Sequence, residues 1–201
     1  MALVAKDNGN KDFKKVPAGS HIARCYMFAD MGTQMSDYGS DQHKIRLQWE
    51  LLGHEPDGTP LTIEIEGITK QMTIGKTYTL SLAESAALRK DLESWRGVPF
   101  TQAQLNGFEI KKVLGAYCML TVAHEVKNGR TYTNVAAIRP VTAEFRDDKP
   151  DPFNDLIYFD MTEPNWDCFN NLPEWIKDNV KKSPEFAELQ STNIDDMEIP
   201  F

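Results

Sequence analysis

Apolar and polar residues alternate most regularly in Lys44-Ile45-Arg46-Leu47-Gln48-Trp49-Glu50-Leu51, the period of a strand with one buried face. That spacing turns Ile45, Leu47, Trp49 and Leu51 inward and leaves Lys44, Arg46 and Gln48 on the opposite face. Upstream, the run Ile22-Ala23-Arg24-Cys25-Tyr26-Met27-Phe28 predicts a first strand within residues 21–31, and a Gly/Ser/Asp-rich loop carrying Tyr38 follows through Asp41. Beyond the turn sequence Glu55-Pro56-Asp57-Gly58, two segments, Leu61-Thr62-Ile63-Glu64-Ile65 and Lys76-Thr77-Tyr78-Thr79-Leu80-Ser81-Leu82, predict one long or broken third strand. Ser81-Leu82-Ala83-Glu84 has capping-box spacing, Leu88, Leu92 and Trp95 share one helical face, and Gly97 and Pro99 end the pattern, so a helix is expected here.

Residues 117–126 and 130–139 read as two further strands joined by Asn128-Gly129, a strong two-residue hairpin signal. Such a turn sets Lys127 opposite Arg130, Val122 opposite Val135 and Leu120 opposite Ala137. The apolar pairs are expected inside, and Thr121, Ala123, Tyr132 and Asn134 outside. Three strands, a helix and a two-stranded hairpin follow the order of a five-stranded OB-fold barrel, so the expected class is mainly all-β. The expected organisation is a flexible arm (1–20), an OB domain (21–140), an acidic extension with one short helix at 173–180 packing on or near the barrel (141–186), and a disordered acidic tail (187–201).

The 201 residues suit one domain with an appendage. The N-terminus lacks the apolar stretch of a signal peptide and no run is long enough to cross a bilayer, so a cytoplasmic protein is expected. Cys25, Cys118 and Cys168 are odd in number and without a Cys-x-x-Cys pair, which points to idle thiols, not a disulfide framework or zinc ribbon. The net charge of −8 argues against a polyanionic partner until the chain is divided at Pro140. Residues 141–201 hold 15 acidic and 5 basic residues, whereas residues 1–140 hold 15 and 17. The acidity therefore belongs to the C-terminal part, and the body is free to gather its bases on one face.

Catalytic signatures are missing from the sequence. The histidines at 21, 43, 54 and 124 are scattered, and there is no His-Glu-x-x-His, Gly-x-Ser-x-Gly or phosphate-cradling Gly-rich loop. Glu64 and Glu66 stand at strand spacing and offer a metal-dependent nuclease as a remote reading, but a solvated strand face accounts for them more simply. No enzyme activity and no cofactor are expected. Single-strand binding requires aromatic surfaces for bases and cations along the phosphates. The residues that suit it are Tyr38, Lys44, Arg46, Gln48, Lys76, Tyr78, Lys127, Arg130, Tyr132 and Asn134, although Tyr78 shares the parity of Leu80 and Leu82 and has burial as its competing role. Trp49, Trp95, Tyr26 and Phe28 are expected in the core.

The chain ends in Asp195-Asp196-Met197-Glu198-Ile199-Pro200-Phe201, acids followed by an apolar tip. A terminal Phe beside Ile suits a small apolar pocket, with its carboxylate and the upstream acids meeting basic residues at the rim. Asp195, Asp196, Glu198, Ile199, Pro200 and Phe201 are thus the expected partner-binding residues. This tip resembles the acidic Ile-Pro-Phe end of bacterial single-stranded DNA-binding proteins, departing from it in Met197 and in Glu198 where Asp is usual. The resemblance implies docking onto replication, recombination and repair proteins. Val16-Pro17-Ala18-Gly19, Tyr78-Thr79-Leu80-Ser81-Leu82, Leu88-Arg89-Lys90-Asp91-Leu92-Glu93-Ser94-Trp95-Arg96-Gly97 and Leu172-Pro173-Glu174-Trp175-Ile176 resemble a phage-encoded single-stranded DNA-binding family through most of residues 16–186. That likeness implies an OB barrel, sequence-independent binding of single-stranded DNA and a part in phage genome replication. The rival expectation is an interaction protein that occupies a host replication enzyme through the same tip, with the barrel as carrier.

Overall fold

The computed structural model describes residues 14–35 and 39–195, with side chains as far as Ser191. The chain is mainly β. Its strands are β1 (Gly19–Met35), β2 (Asp41–Leu51), β3 (Thr62–Ile65), β4 (Ile68–Gln71), β5 (Thr73–Thr79), β6 (Tyr117–Lys127), β7 (Arg130–Arg139) and β8 (Ile157–Phe159). Helices α1 (Ala87–Arg96) and α2 (Gln102–Leu105) and a 3-10 turn at Ile110–Val113 lie between β5 and β6. Helices α3 (Glu144–Asp147), α4 (Trp166–Asn170), α5 (Glu174–Val180) and α6 (Pro184–Asp195) belong to the C-terminal part. No helix among the described residues is long and apolar enough to cross a membrane.

The main sheet has the order β5-β2-β1-β6-β7, all antiparallel, with β8 added in parallel beside β1. The two ends of the path, β5 and β7, approach each other without a hydrogen-bonded ladder between them among the described residues. The antiparallel β class expected from the pattern is met, whereas the closed barrel is not formed by strand pairing.

The alternation in β2 places Ile45, Leu47, Trp49 and Leu51 wholly inside, with Cys118, Leu120, Val122, Val135 and Ile138 from the β6–β7 hairpin facing them. Helix α1 plugs this core with Leu88, Leu92 and Trp95, whose Nε1 donates to the Tyr117 carbonyl at 2.9 Å. Gly97 ends the helix in the left-handed conformation at φ 70. The helix starts later than expected. Ser81 spends its hydroxyl on the Ala83 N–H, 3.2 Å away, and the N-cap is Ala86 with no side-chain cap.

Three further departures have local causes. The third strand, expected long or broken, does not include its first segment: β3 and β4 form their own hairpin through Glu66 and Gly67, both at positive φ, and only β5 pairs with β2. Glu66 therefore sits in a turn and does not share a strand face with Glu64, which removes the paired-carboxylate arrangement. No group of three or more His, Cys, Asp and Glu suited to a metal ion occurs among the described residues. At the Asn128-Gly129 turn, both residues adopt positive φ and Lys127 pairs with Arg130 and Val122 with Val135, as the turn chemistry dictates. A bulge then slips Ala136 out of the ladder, so Leu120 pairs with Ile138 instead of Ala137 and Ile138 fills the core.

Residues 21–32 of β1 are buried without interruption, because both faces of the strand are covered. A bulge at Tyr26 shifts the parity, so that Ala23, Cys25 and Phe28 face the sheet core while Tyr26, Met27 and Ala29 face the other way. The outward set packs against Phe159, Met161, Phe169, Leu172, Ile176, Val180 and Phe186, a second core supplied entirely by the C-terminal part. The extension thus carries four helices where one is predicted, and α6 continues to Asp195 through a segment whose composition reads as unstructured. Cys25 and Cys118 are buried free thiols, and burial pushes Cys25 up to about 12.

Candidate nucleic-acid interface

Strands β2 and β5 pair so that Lys44 opposes Thr79, Arg46 opposes Thr77 and Gln48 opposes Gly75. Their outward side chains form a ladder of hydroxyl contacts. Lys44 Nζ donates to Thr79 Oγ1 at 2.8 Å, Arg46 Nη1 to Thr77 Oγ1 at 3.1 Å, and Gln48 Nε2 to Thr73 Oγ1 at 3.0 Å. Threonine hydroxyls orient the cations without neutralising them, and neither Lys44 nor Arg46 has an ion pair among the described residues. Arg46 Nε is buried without an acceptor and Gln48 Oε1 without a donor, and burial pulls the Arg46 guanidinium below its ordinary pKa. A charged group held in this way is costly unless it meets an anion.

Arg46 opens onto a groove of about 320 Å³ between the two ends of the sheet, shared with Gly75, Lys76, Thr77, Asn134 and Val135. Gln48 faces a larger groove, about 680 Å³, that is lined also by Tyr26, Lys70, Thr73 and Phe153. Arg46, Lys76 and Asn134 thus line one groove, but Lys76 opposes Leu47 in the ladder and belongs to the core-facing row of β5, whereas Lys44 and Gln48 share the outward row of Arg46. Tyr132 is 46% exposed on β7, two residues from Asn134, and the Arg130 side chain stands at the hairpin tip without a hydrogen bond or ion pair among the described residues. Lys127 is tied to Glu125 at 3.0 Å, and Asn134 makes a long 3.4 Å contact with the same carboxylate group.

Two predicted residues serve other ends. Tyr78 is only 2% exposed and donates to Asp91 Oδ2 at 2.7 Å, so its ring belongs to the core and not to a stacking surface. Burial, reinforced by the Asp91 charge, drives its hydroxyl far above the ordinary tyrosine range. Lys76 binds the same oxygen at 2.6 Å, which reduces its charge toward the groove. Tyr38 lies outside the described residues, as do Asp196, Glu198, Ile199, Pro200 and Phe201, and Asp195 is described only as the last residue of α6. Of the N-terminal lysines, Lys14 pairs with Glu55 at 3.0 Å.

The chain pattern alone missed Trp175 and Phe153, both exposed and both contributed by the extension. Trp175 covers Arg46, with the guanidinium carbon 5.0 Å from the ring centroid. One signal for it was present. Ile176 and Val180, four apart, mark the buried face of α5, which leaves Trp175 off that face and exposed.

No protein-family model matches the chain, and no curated protein matches it in a sequence comparison.

Proposed function

We propose that this protein binds single-stranded DNA without regard to sequence, on the outer face of β2 and β5, and is not an enzyme. The observation that carries this reading is the pair of cations on β2, Lys44 and Arg46, oriented by threonine hydroxyls and left unneutralised beside an open groove. Cations fixed on a sheet face suit the evenly charged backbone of a single strand, and exposed aromatics suit its bases. The strand order, with a helix before the last hairpin and the two sheet ends facing each other, fits an OB-type arrangement whose second and third strands carry the ligand. The resemblance of residues 16–186 and of the Ile199-Pro200-Phe201 tip supports a part in phage DNA replication and recombination, with the tip recruiting host or phage proteins.

The test is fluorescence anisotropy of labelled oligo-dT, duplex DNA and single-stranded RNA across a salt series. Tight, salt-sensitive binding to oligo-dT over duplex is expected, and Arg130→Ala and Tyr132→Ala should each weaken it. Absence of oligo-dT binding would sink the reading and leave the tip as the functional part.

A further inference from the structure

Arg46 is held between two surfaces. Beneath it lies Gly75, where a Cβ would stand 2.6 to 2.8 Å from the guanidinium atoms, so only glycine lets the side chain lie flat on the strand. Above it lies the Trp175 indole, 46% exposed. Of the guanidinium donors, Nη1 is used by Thr77 and Nε has no partner, and the groove shared with Asn134 begins beside them. Trp175 is not held there by Arg46 alone. Its neighbours Ile176 and Val180 are fully buried against the outer face of β1, which fixes α5 relative to β2. A half-exposed indole immobilised over an arginine offers an ordered π surface at little further entropic cost, and the arginine offers a phosphate site one step away.

We propose that Trp175 is a base-stacking residue of the single-strand site, so that the C-terminal extension completes that site instead of merely buttressing the sheet. A nucleobase stacks on the exposed indole while an adjoining phosphate meets the Arg46 guanidinium where it lines the groove. The assignment rests on the single-strand reading above and adds to it a residue that lies 129 positions from Arg46 in the chain.

The test uses the full-length chain and labelled oligo-dT over a salt series, with Trp175→Ala, Trp175→Phe and Arg46→Met. Trp175→Ala should weaken binding by about 5- to 150-fold, the range for loss of one stacked base, with the salt slope unchanged. Trp175→Phe should keep most of the affinity and lose most of the tryptophan quenching that oligo-dT produces. Arg46→Met should lower the salt slope by about 0.7, the value of one phosphate contact on a single strand. Thermal unfolding of each variant checks the fold, and the phenylalanine variant carries the test if the alanine variant unfolds. Wild-type affinity in Trp175→Ala, tighter binding, or undiminished quenching in Trp175→Phe would overturn the assignment while leaving the single-strand reading intact. A wild-type chain that ignores oligo-dT would remove both.

Discussion

Arg24 and Glu50 face each other across the β1–β2 ladder, both buried, with Arg24 Nε 2.6 Å from Glu50 Oε1. The pair does more than join two strands. Glu50 Oε2 accepts from the backbone N–H groups of Phe153 and Asn154 and from the Asn154 side chain, at 3.2, 2.7 and 2.8 Å, while Arg24 donates to the Asn154 carbonyl. A buried ion pair in the sheet thus anchors the start of the extension.

Replacing Glu50 with Ala leaves Arg24 as a buried unpaired charge and strips three donors of their acceptor. The expected loss is about 3–5 kcal/mol in chemical denaturation, the scale for breaking one side of a buried pair. Proteolytic cleavage near Phe153 should accelerate in the same variant. A loss under about 1 kcal/mol would mean that water replaces the contacts.

At Gly32 the extension packs tightly on β1. The glycine φ is +65, and a Cβ there would lie 2.5 Å from Ser183 Cβ and 2.6 Å from Met161 Cε. Gly32→Ala therefore combines left-handed strain with overpacking, and should cost about 2–4 kcal/mol. The emission of Trp166, which packs on Phe159, Phe169 and Phe186, should report the loosened second core. An unchanged melting temperature would contradict the close contact.

Stability should fall in acid partly through Glu185. Burial opposes its ionisation, yet the Thr33 N–H and hydroxyl hydrogen bonds hold its pKa below the ordinary 4.5. A depressed carboxylate stabilises the fold above its unfolded value and loses that contribution as the pH drops through the folded one. Glu185→Gln should be less stable than wild type at neutral pH, and the difference should shrink below pH 4.5. A gap that stays constant into acid would refute this linkage.

Tyr78→Phe separates the core from the binding face. Loss of the hydroxyl bond to Asp91 should cost about 1 kcal/mol, since Lys76 still occupies the carboxylate. Oligo-dT affinity should be unchanged, because the ring is buried. A large fall in affinity with little loss of stability would return Tyr78 to the site.

Local patterns were enough wherever the physics is local. Alternation in 44–51 set the inward face of β2, Asn128-Gly129 set the hairpin and its first register, and Leu88, Leu92 and Trp95 set the buried face of α1. The outward row Lys44, Arg46 and Gln48 follows from the same parity. Even the double burial of β1 has a sequence trace, since its run from Ile22 to Ala29 is apolar with little alternation.

The mainly β class, the facing of β2 and α1 and the charge contrast between body and C-terminal part were thus legible along the chain. Closure of the chain set the bulge at Ala136, the separate β3–β4 hairpin and the pairing of Arg46 with Trp175. Periodicity records which side of a strand or helix avoids water, because that choice repeats every two or every three to four residues. It holds no record of which distant segment covers that side. Such contacts arise only when the chain closes on itself, and they are what set Arg46 between Gly75 and an indole from the far end of the molecule.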